Sequence, residues 1–203
     1  MSQEHNAATP TVQSERRNFL KHSGLMTLGA LAATSLLKPN ATLAAHHAAQ
    51  PAAKSTSTAD DIDILNGALA LEHQAIAAYE IGAGSGLLSS TVLAVAVKFQ
   101  THHKAHASVL TDTIHKLGGV AVAAKKPAEY GFPVDKLKQQ ADVLHFAAGL
   151  EQGAASAYLG AVPAFHNKDL AKAAASILGD ETMHWAILLN ALGEDPVPSA
   201  FIS

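Results

Sequence analysis

Six residues have types and spacings that could do chemistry together. Glu72 and Glu151 stand singly on their segments. His103-x-x-His106 and Glu181-x-x-His184 are pairs one helical turn apart. Carboxylate oxygens and neutral imidazole nitrogens are ligands for first-row divalent metals. In an apolar helix core without metal, each carboxylate would cost several kcal/mol or take up a proton. A bound cation removes that cost by making the same groups its ligands. Metal binding is therefore the chemistry expected of Glu72, His103, His106, Glu151, Glu181 and His184.

The pattern around them supports one shared level. Read at alternating spacings of three and four, the first segment runs Leu65, Ala68, Glu72, Ala75, Tyr79, and the third runs Leu144, Ala147, Glu151, Ala154, Tyr158. The two match at a constant offset of 79 residues. The second segment runs Val92, Ala96, Phe99, His103, His106, Leu110, and the fourth runs Leu170, Ala174, Ile177, Glu181, His184, Leu188, at an offset of 78. A duplicated helix hairpin is the economical reading. Gln100-x-x-His103 is an alternative register, but Gln100 falls off the seam.

Neighbouring residues have plainer readings. His102 sits beside the seam and reads as a flanking or surface histidine. His73 is turned about 100° from Glu72 and reads as peripheral. His115, His145 and His166 carry no motif. Tyr79 and Tyr158 read as core tyrosines with satisfied hydroxyls, with a hydrogen bond to a ligand or a redox-active phenol as the sharper idea. Met183 and Trp185 read as packing.

Four helices must position these residues. Asp60/Asp61 is expected to cap a first helix to about Ile81, ended by Gly82-Ala83-Gly84-Ser85-Gly86. Ser89/Ser90 starts a second, which ends at Gly118-Gly119. Residues 118–134 read as a long connection. Asp135 is expected to cap a third helix, stopped near Gly160 to Pro163. Asn167 caps a fourth ending at Gly193, and Pro196 and Pro198 keep the tail non-helical. Two short loops around one long connection predict an all-α antiparallel four-helix bundle with a crossover between helices 2 and 3.

Composition agrees. The chain has 203 residues, 48% hydrophobic but only 5% aromatic, with 15% charged residues and a net charge of −3. That balance argues against nucleic-acid binding, which needs a basic face. The absence of cysteine excludes disulfide scaffolds, thiolate metal sites, iron–sulfur clusters and cysteine nucleophiles. There is no Gly-rich phosphate loop, no Gly-x-Ser-x-Gly and no Ser/His/Asp order. A haem bundle would leave three buried glutamates unexplained.

The N-terminus reads as an address. Arg16-Arg17-Asn18-Phe19-Leu20-Lys21 precedes the apolar run Gly24–Ala33. That run is too short and too rich in small residues for a stable membrane span. The paired arginines resemble the twin-arginine signal that exports folded bacterial proteins, although Glu15 stands where Ser or Thr is preferred. Thr42-Leu43-Ala44 suits a signal peptidase. The expected division is a signal peptide over 1–44, a linker over 45–59, the bundle over 60–193 and a tail over 194–203. The expected location is periplasmic or secreted.

Over residues 60–193 the chain resembles the ferritin-like superfamily, and within it the exported ferritin-like domain proteins. Glu72 and Glu151 match the single-Glu positions, Glu181 and His184 one Glu-x-x-His, and His106 the histidine of the other. His103 stands where the family has Glu. A glutamate bridges two metals through two oxygens, whereas an imidazole binds one. The resemblance implies iron or manganese in a dinuclear site; the His103 change opens a mononuclear site, or copper or zinc. It implies a metalloprotein that oxidises ferrous iron or removes peroxide in stress defence, with metal ions and oxygen or peroxide as partners. The alternatives are a metal-storage module and a structural, stress-protective bundle without turnover. Assembly into a homo-oligomer stays open.

Overall fold

The computed structural model describes residues 56–202. The expected signal peptide and residues 45–55 of the expected linker lie outside the described residues. Four long helices form the fold: α1 (Thr56–Gly84), α2 (Ser90–Lys116), α3 (Gln140–Ala161) and α4 (Lys168–Leu192). Short 3-10 turns cover Pro127–Tyr130, Val134–Lys136 and Val162–Ala164. Among the described residues there is no strand. No described helix is long and apolar enough to cross a membrane. The all-α four-helix architecture is the one expected.

The helix ends follow local chemistry, with two corrections. Ser89 caps α2 by accepting from the Val92 N–H, and Asn167 caps α4 by accepting from the Asp169 N–H. Gly193 ends α4 in the left-handed conformation, at φ 77°. Asp60/Asp61 does not cap the first helix, because α1 is already helical from Thr56, inside the expected linker. The buried Asp61 carboxylate instead accepts the backbone N–H groups of His166 (2.8 Å) and Asn167 (3.1 Å). It thereby ties α1 to the chain entering α4. Asp135 does not cap the third helix either. It lies in the turn Val134–Lys136, and α3 starts five residues later. There Asp142 reaches back to the N–H groups of Lys138 (2.9 Å) and Gln139 (3.1 Å). A carboxylate inside the first turn satisfies the same orphan donors as a cap before it.

The crossover is pinned to α1. Asn66 donates to the Val120 carbonyl (3.1 Å) and accepts from the Val122 N–H (2.8 Å). Gly119 passes so close that a Cβ there would meet Ile62 at 2.8 Å and Ile114 at 2.9 Å. Any side chain would push the crossover off the helix pair.

α1 packs chiefly on α2, and α3 on α4, giving two antiparallel hairpins. Two apolar clusters fill the core. One holds Leu65, Leu69, Leu110, Ile114, Phe165 and Ile177; the other holds Tyr79, Phe99, Leu144, Leu188 and Leu189. Burial of each large aliphatic side chain contributes about 1.5–3 kcal/mol. The level between the clusters is polar, and apolar packing on either side of it keeps it in place.

Candidate metal centre

The structure brings all six candidate residues to that level. Glu72, His103, Glu151, Glu181 and His184 are 2% exposed or less, and His106 is half-buried. Each helix contributes because the seam registers coincide: Glu72 from α1, His103 and His106 from α2, Glu151 from α3, Glu181 and His184 from α4.

Two overlapping groups of donor atoms result, each within 4.8 Å. One is Glu72, His103, His106 and Glu181; the other is His103, Glu151, Glu181 and His184. Glu181 belongs to both. Its Oε1 is 3.2 Å from His106 Nδ1, and its Oε2 is 3.7 Å from His184 Nδ1. It is the carboxylate placed to face two ions at once. His103 also belongs to both, with Nδ1 2.9 Å from Glu72 Oε2 and Nε2 3.2 Å from Glu151 Oε1. A neutral imidazole has a single free lone pair, so His103 can serve only one group at a time.

Five of these atoms are buried without a hydrogen-bond partner: His106 Nδ1, Glu151 Oε2, both oxygens of Glu181 and His184 Nδ1. Buried polar atoms are rarely left so. All five are nitrogen or carboxylate-oxygen donors, and their residues belong to the two overlapping groups. The residues present therefore fit a divalent metal site with nitrogen and oxygen ligands.

Charge is balanced without metal as well. Burial works against protonation of His103, but the carboxylates of Glu151 and Glu72 outweigh it and raise its pKa to about 10. In the same way, Asp180, Glu181 and Glu72 raise His106 to about 11, and Glu151 and Glu181 raise His184 to about 9. Burial would raise Glu72 and Glu151. Hydrogen bonds from His103 to both, with the imidazoles of His106 near Glu72 and His184 near Glu151, lower them instead.

The two tyrosines bond the site glutamates reciprocally. Tyr158 on α3 donates to Glu72 Oε1 (2.6 Å), and Tyr79 on α1 donates to Glu151 Oε1. Burial first, and the adjacent glutamate second, push both phenols far above their usual pKa. Both are thus donors at neutral pH.

Two further residues join the site from outside the seam. Asp180 Oδ2 lies 3.3 Å from His106 Nε2 and 3.4 Å from His184 Nε2. His102 Nδ1 lies 3.1 Å from the same oxygen and 2.9 Å from His184 Nε2. His102 therefore does more than flank the seam, and Asp180, which carries no motif, joins it. Both immediately precede a seam residue, His103 or Glu181, which turns them toward the groove between α2 and α4. That adjacency was the available signal. His145 and His166 are exposed, 3.6 Å from Glu194 and 3.3 Å from Asp60 respectively. His73 belongs to none of the clusters of donor atoms.

Beside the metal level, at the end of the bundle near Gly82, a cavity of about 210 Å³ is bounded by side chains of all four helices. Its walls include Tyr79, Ala96, Leu144, Ala147 and Leu188.

Four helices, a crossover and a buried carboxylate–histidine level define a class of protein, and comparison with known families agrees. Residues 60–194 match the family model "Ferritin-like domain", and the chain belongs to that family. Three solved structures share the fold. A conserved hypothetical protein, rv2844, from Mycobacterium tuberculosis is 24% identical, with a TM-score of 0.62 over 72% of this chain and 99% of that one. Ferritin-like, diiron-carboxylate proteins from Bacillus anthracis str. Ames are 22% identical, with a TM-score of 0.58 over 68% and 99%. A dodecameric thioferritin from Bacteroides fragilis is 24% identical, with a TM-score of 0.56 over 67% and 86%. No curated protein matches the sequence.

Proposed function

We propose that this chain is an exported metalloprotein whose buried carboxylate–histidine level holds iron or manganese and acts on oxygen or peroxide. The observation that carries the reading is the clustering of five unpartnered donor atoms in a buried core. A structural bundle gains nothing from that arrangement, whereas ions would satisfy every atom of it. Glu72, His106 and Glu181 would hold one ion, and Glu151, Glu181 and His184 the other. Bound there, the metal pair would supply redox equivalents and an open coordination position.

The chain's own residues set the conditions. Tyr158 and Tyr79 occupy one oxygen each of Glu72 and Glu151, leaving the other oxygen of each carboxylate to face the ions. Asp180 Oδ2 lies beside the outer nitrogens of His106 (3.3 Å) and His184 (3.4 Å), a charge that favours their Nδ1 atoms facing inward. The apolar clusters on both sides exclude water. The diiron-carboxylate description of the Bacillus anthracis relative and the paired arginines at 16–17 support the metal and the export respectively.

One observation favours a second reading. His103 sits between Glu72 and Glu151 as a built-in counter-charge, so the level is balanced without metal. A bundle with a structural or storage role, without turnover, fits that feature.

Elemental analysis of protein purified from the periplasm, without added metal or chelator, separates the two. About two irons or manganeses per chain, with oxygen or peroxide consumption, is the result expected. Metal without consumption favours storage. A chain that carries no metal and takes up none on reconstitution sinks the metalloprotein reading.

A further inference from the structure

The outer cluster is more than a support for the inner ligands. His102 Nδ1, Asp180 Oδ2 and His184 Nε2 form a triangle with edges of 2.9, 3.1 and 3.4 Å. A tetrahedral ion with bonds of about 2.0 Å keeps its ligand atoms about 3.3 Å apart, so three donors at these spacings already make one face of a tetrahedron. The side chains of His102 and Asp180 are 27% and 22% exposed, so the fourth position opens toward solvent. We propose that His102, Asp180 and His184 form a third, peripheral site for a single divalent cation with a preference for nitrogen ligands, such as zinc, copper or cobalt.

His184 makes this site communicate with the buried one. Its Nδ1 faces Glu151 Oε2 at 3.4 Å, and its Nε2 faces His102 and Asp180. Neutral imidazole has one free lone pair and one N–H. With the lone pair on Nε2, the ring ligates the outer ion, and its Nδ1–H is donated inward to Glu151. With the lone pair on Nδ1, the ring ligates an inner ion, and its Nε2–H is donated outward to Asp180. The two occupancies therefore exclude one another at His184. An ion held at the surface loses one of three ligands when the ring engages the core, and this coupling rests on the inner level being a metal site. The peripheral site is then a loading position that releases its ion as the core fills.

The test is titration of the metal-free full-length chain with cobalt(II), followed by the visible absorption of tetrahedral cobalt, in wild type, His102→Ala, His102→Gln and Glu181→Gln. Circular dichroism melting checks that each variant is folded. His102 lies at the groove rather than in the core, so both of its variants are expected to keep the helical signal. The expected result is an early tetrahedral signal that fades as more cobalt enters. That signal should be weakened at least about 10-fold in affinity by either His102 variant and kept in Glu181→Gln. Titrations of wild type and His102 variants that superimpose, while Glu181→Gln loses cobalt, overturn the peripheral site and leave the buried one standing. A single cobalt lost in the His102 variants and indifferent to Glu181→Gln, which belongs to both buried groups, supports the peripheral site and removes the buried one. No cobalt uptake in wild type overturns both.

Discussion

Tyr158 Oη stands 2.6 Å from Glu72 Oε1, a bond that crosses the core from α3 to α1. Its counterpart runs the other way, from Tyr79 on α1 to Glu151 on α3. In each helix the tyrosine follows its glutamate by seven residues, two turns further on. The repeated hairpin thus builds a reciprocal pair of bonds that join its two halves through the glutamates of the buried level.

Loss of either phenol should therefore be felt in stability. Tyr158→Phe keeps the ring packing but leaves Glu72 Oε1 without its donor. A buried acceptor left unpaired costs about 1–3 kcal/mol. Thermal melting of the metal-free protein should show a lower Tm for Tyr158→Phe, and a similar drop for Tyr79→Phe. An unchanged Tm for both would mean that the bonds contribute nothing net.

Metal should stabilise the wild type through Glu72 and Glu151. A ligand at a hundred times its Kd adds about 2.7 kcal/mol. The variant Glu72→Leu/His103→Leu/Glu151→Leu removes the carboxylates together with the imidazole that pairs them. Its Tm should not respond to added iron or manganese. Without metal it should be less stable than wild type, because it leaves the Tyr158 and Tyr79 hydroxyls without acceptors and keeps His106, Glu181 and His184 at the buried level. Differential scanning calorimetry with and without metal checks both halves.

Stability of the metal-free protein should depend on pH from both sides. His184, His103 and His106 have folded pKa values raised to about 9, 10 and 11, above the ordinary 6.5. Their contribution is complete below about 6.5 and is lost as pH rises through 9 to 11. Glu72 and Glu151 are lowered from 4.5, so their contribution is present above that value and is lost as pH falls below it. Melting in chelator should give a maximum Tm between about pH 4.5 and 6.5, with a decline by pH 9. A Tm that rises from pH 6 to pH 9 would contradict the ion pairing of the core.

The cavity beside Tyr79 should accept extra side chain. Ala147 lines it on α3 and is half-buried. Ala147→Leu keeps a strong helix former and adds apolar bulk where space exists. A gain of about 0.5–2 kcal/mol is expected, read as a higher Tm with unchanged metal stoichiometry. A loss would show the walls to be too rigid to admit it.

Much of this molecule is written in its sequence. Apolar spacing of three and four, repeated at offsets of 79 and 78, determined four helices and placed six polar residues at one level. The physical reason is that a helix has a fixed rise and turn, so seam positions are arithmetic. Ser89, Asn167 and Gly193 ended helices as local rules require, because a cap involves only a few adjacent residues. Asp61 does not act as a cap because partners more than a hundred residues away decide where its carboxylate goes, and Asp135 does not because the chain turns at Val134–Lys136 before α3 begins. Only the packed bundle placed Tyr79 against Glu151 and Tyr158 against Glu72, since the pairing depends on which helices lie across the core from one another. Only the packed bundle turned Asp180 and His102 onto the outer nitrogen of His184. The orientation of that ring, with one nitrogen toward the core and one toward the groove, is a property of the helix–helix approach and of no segment alone.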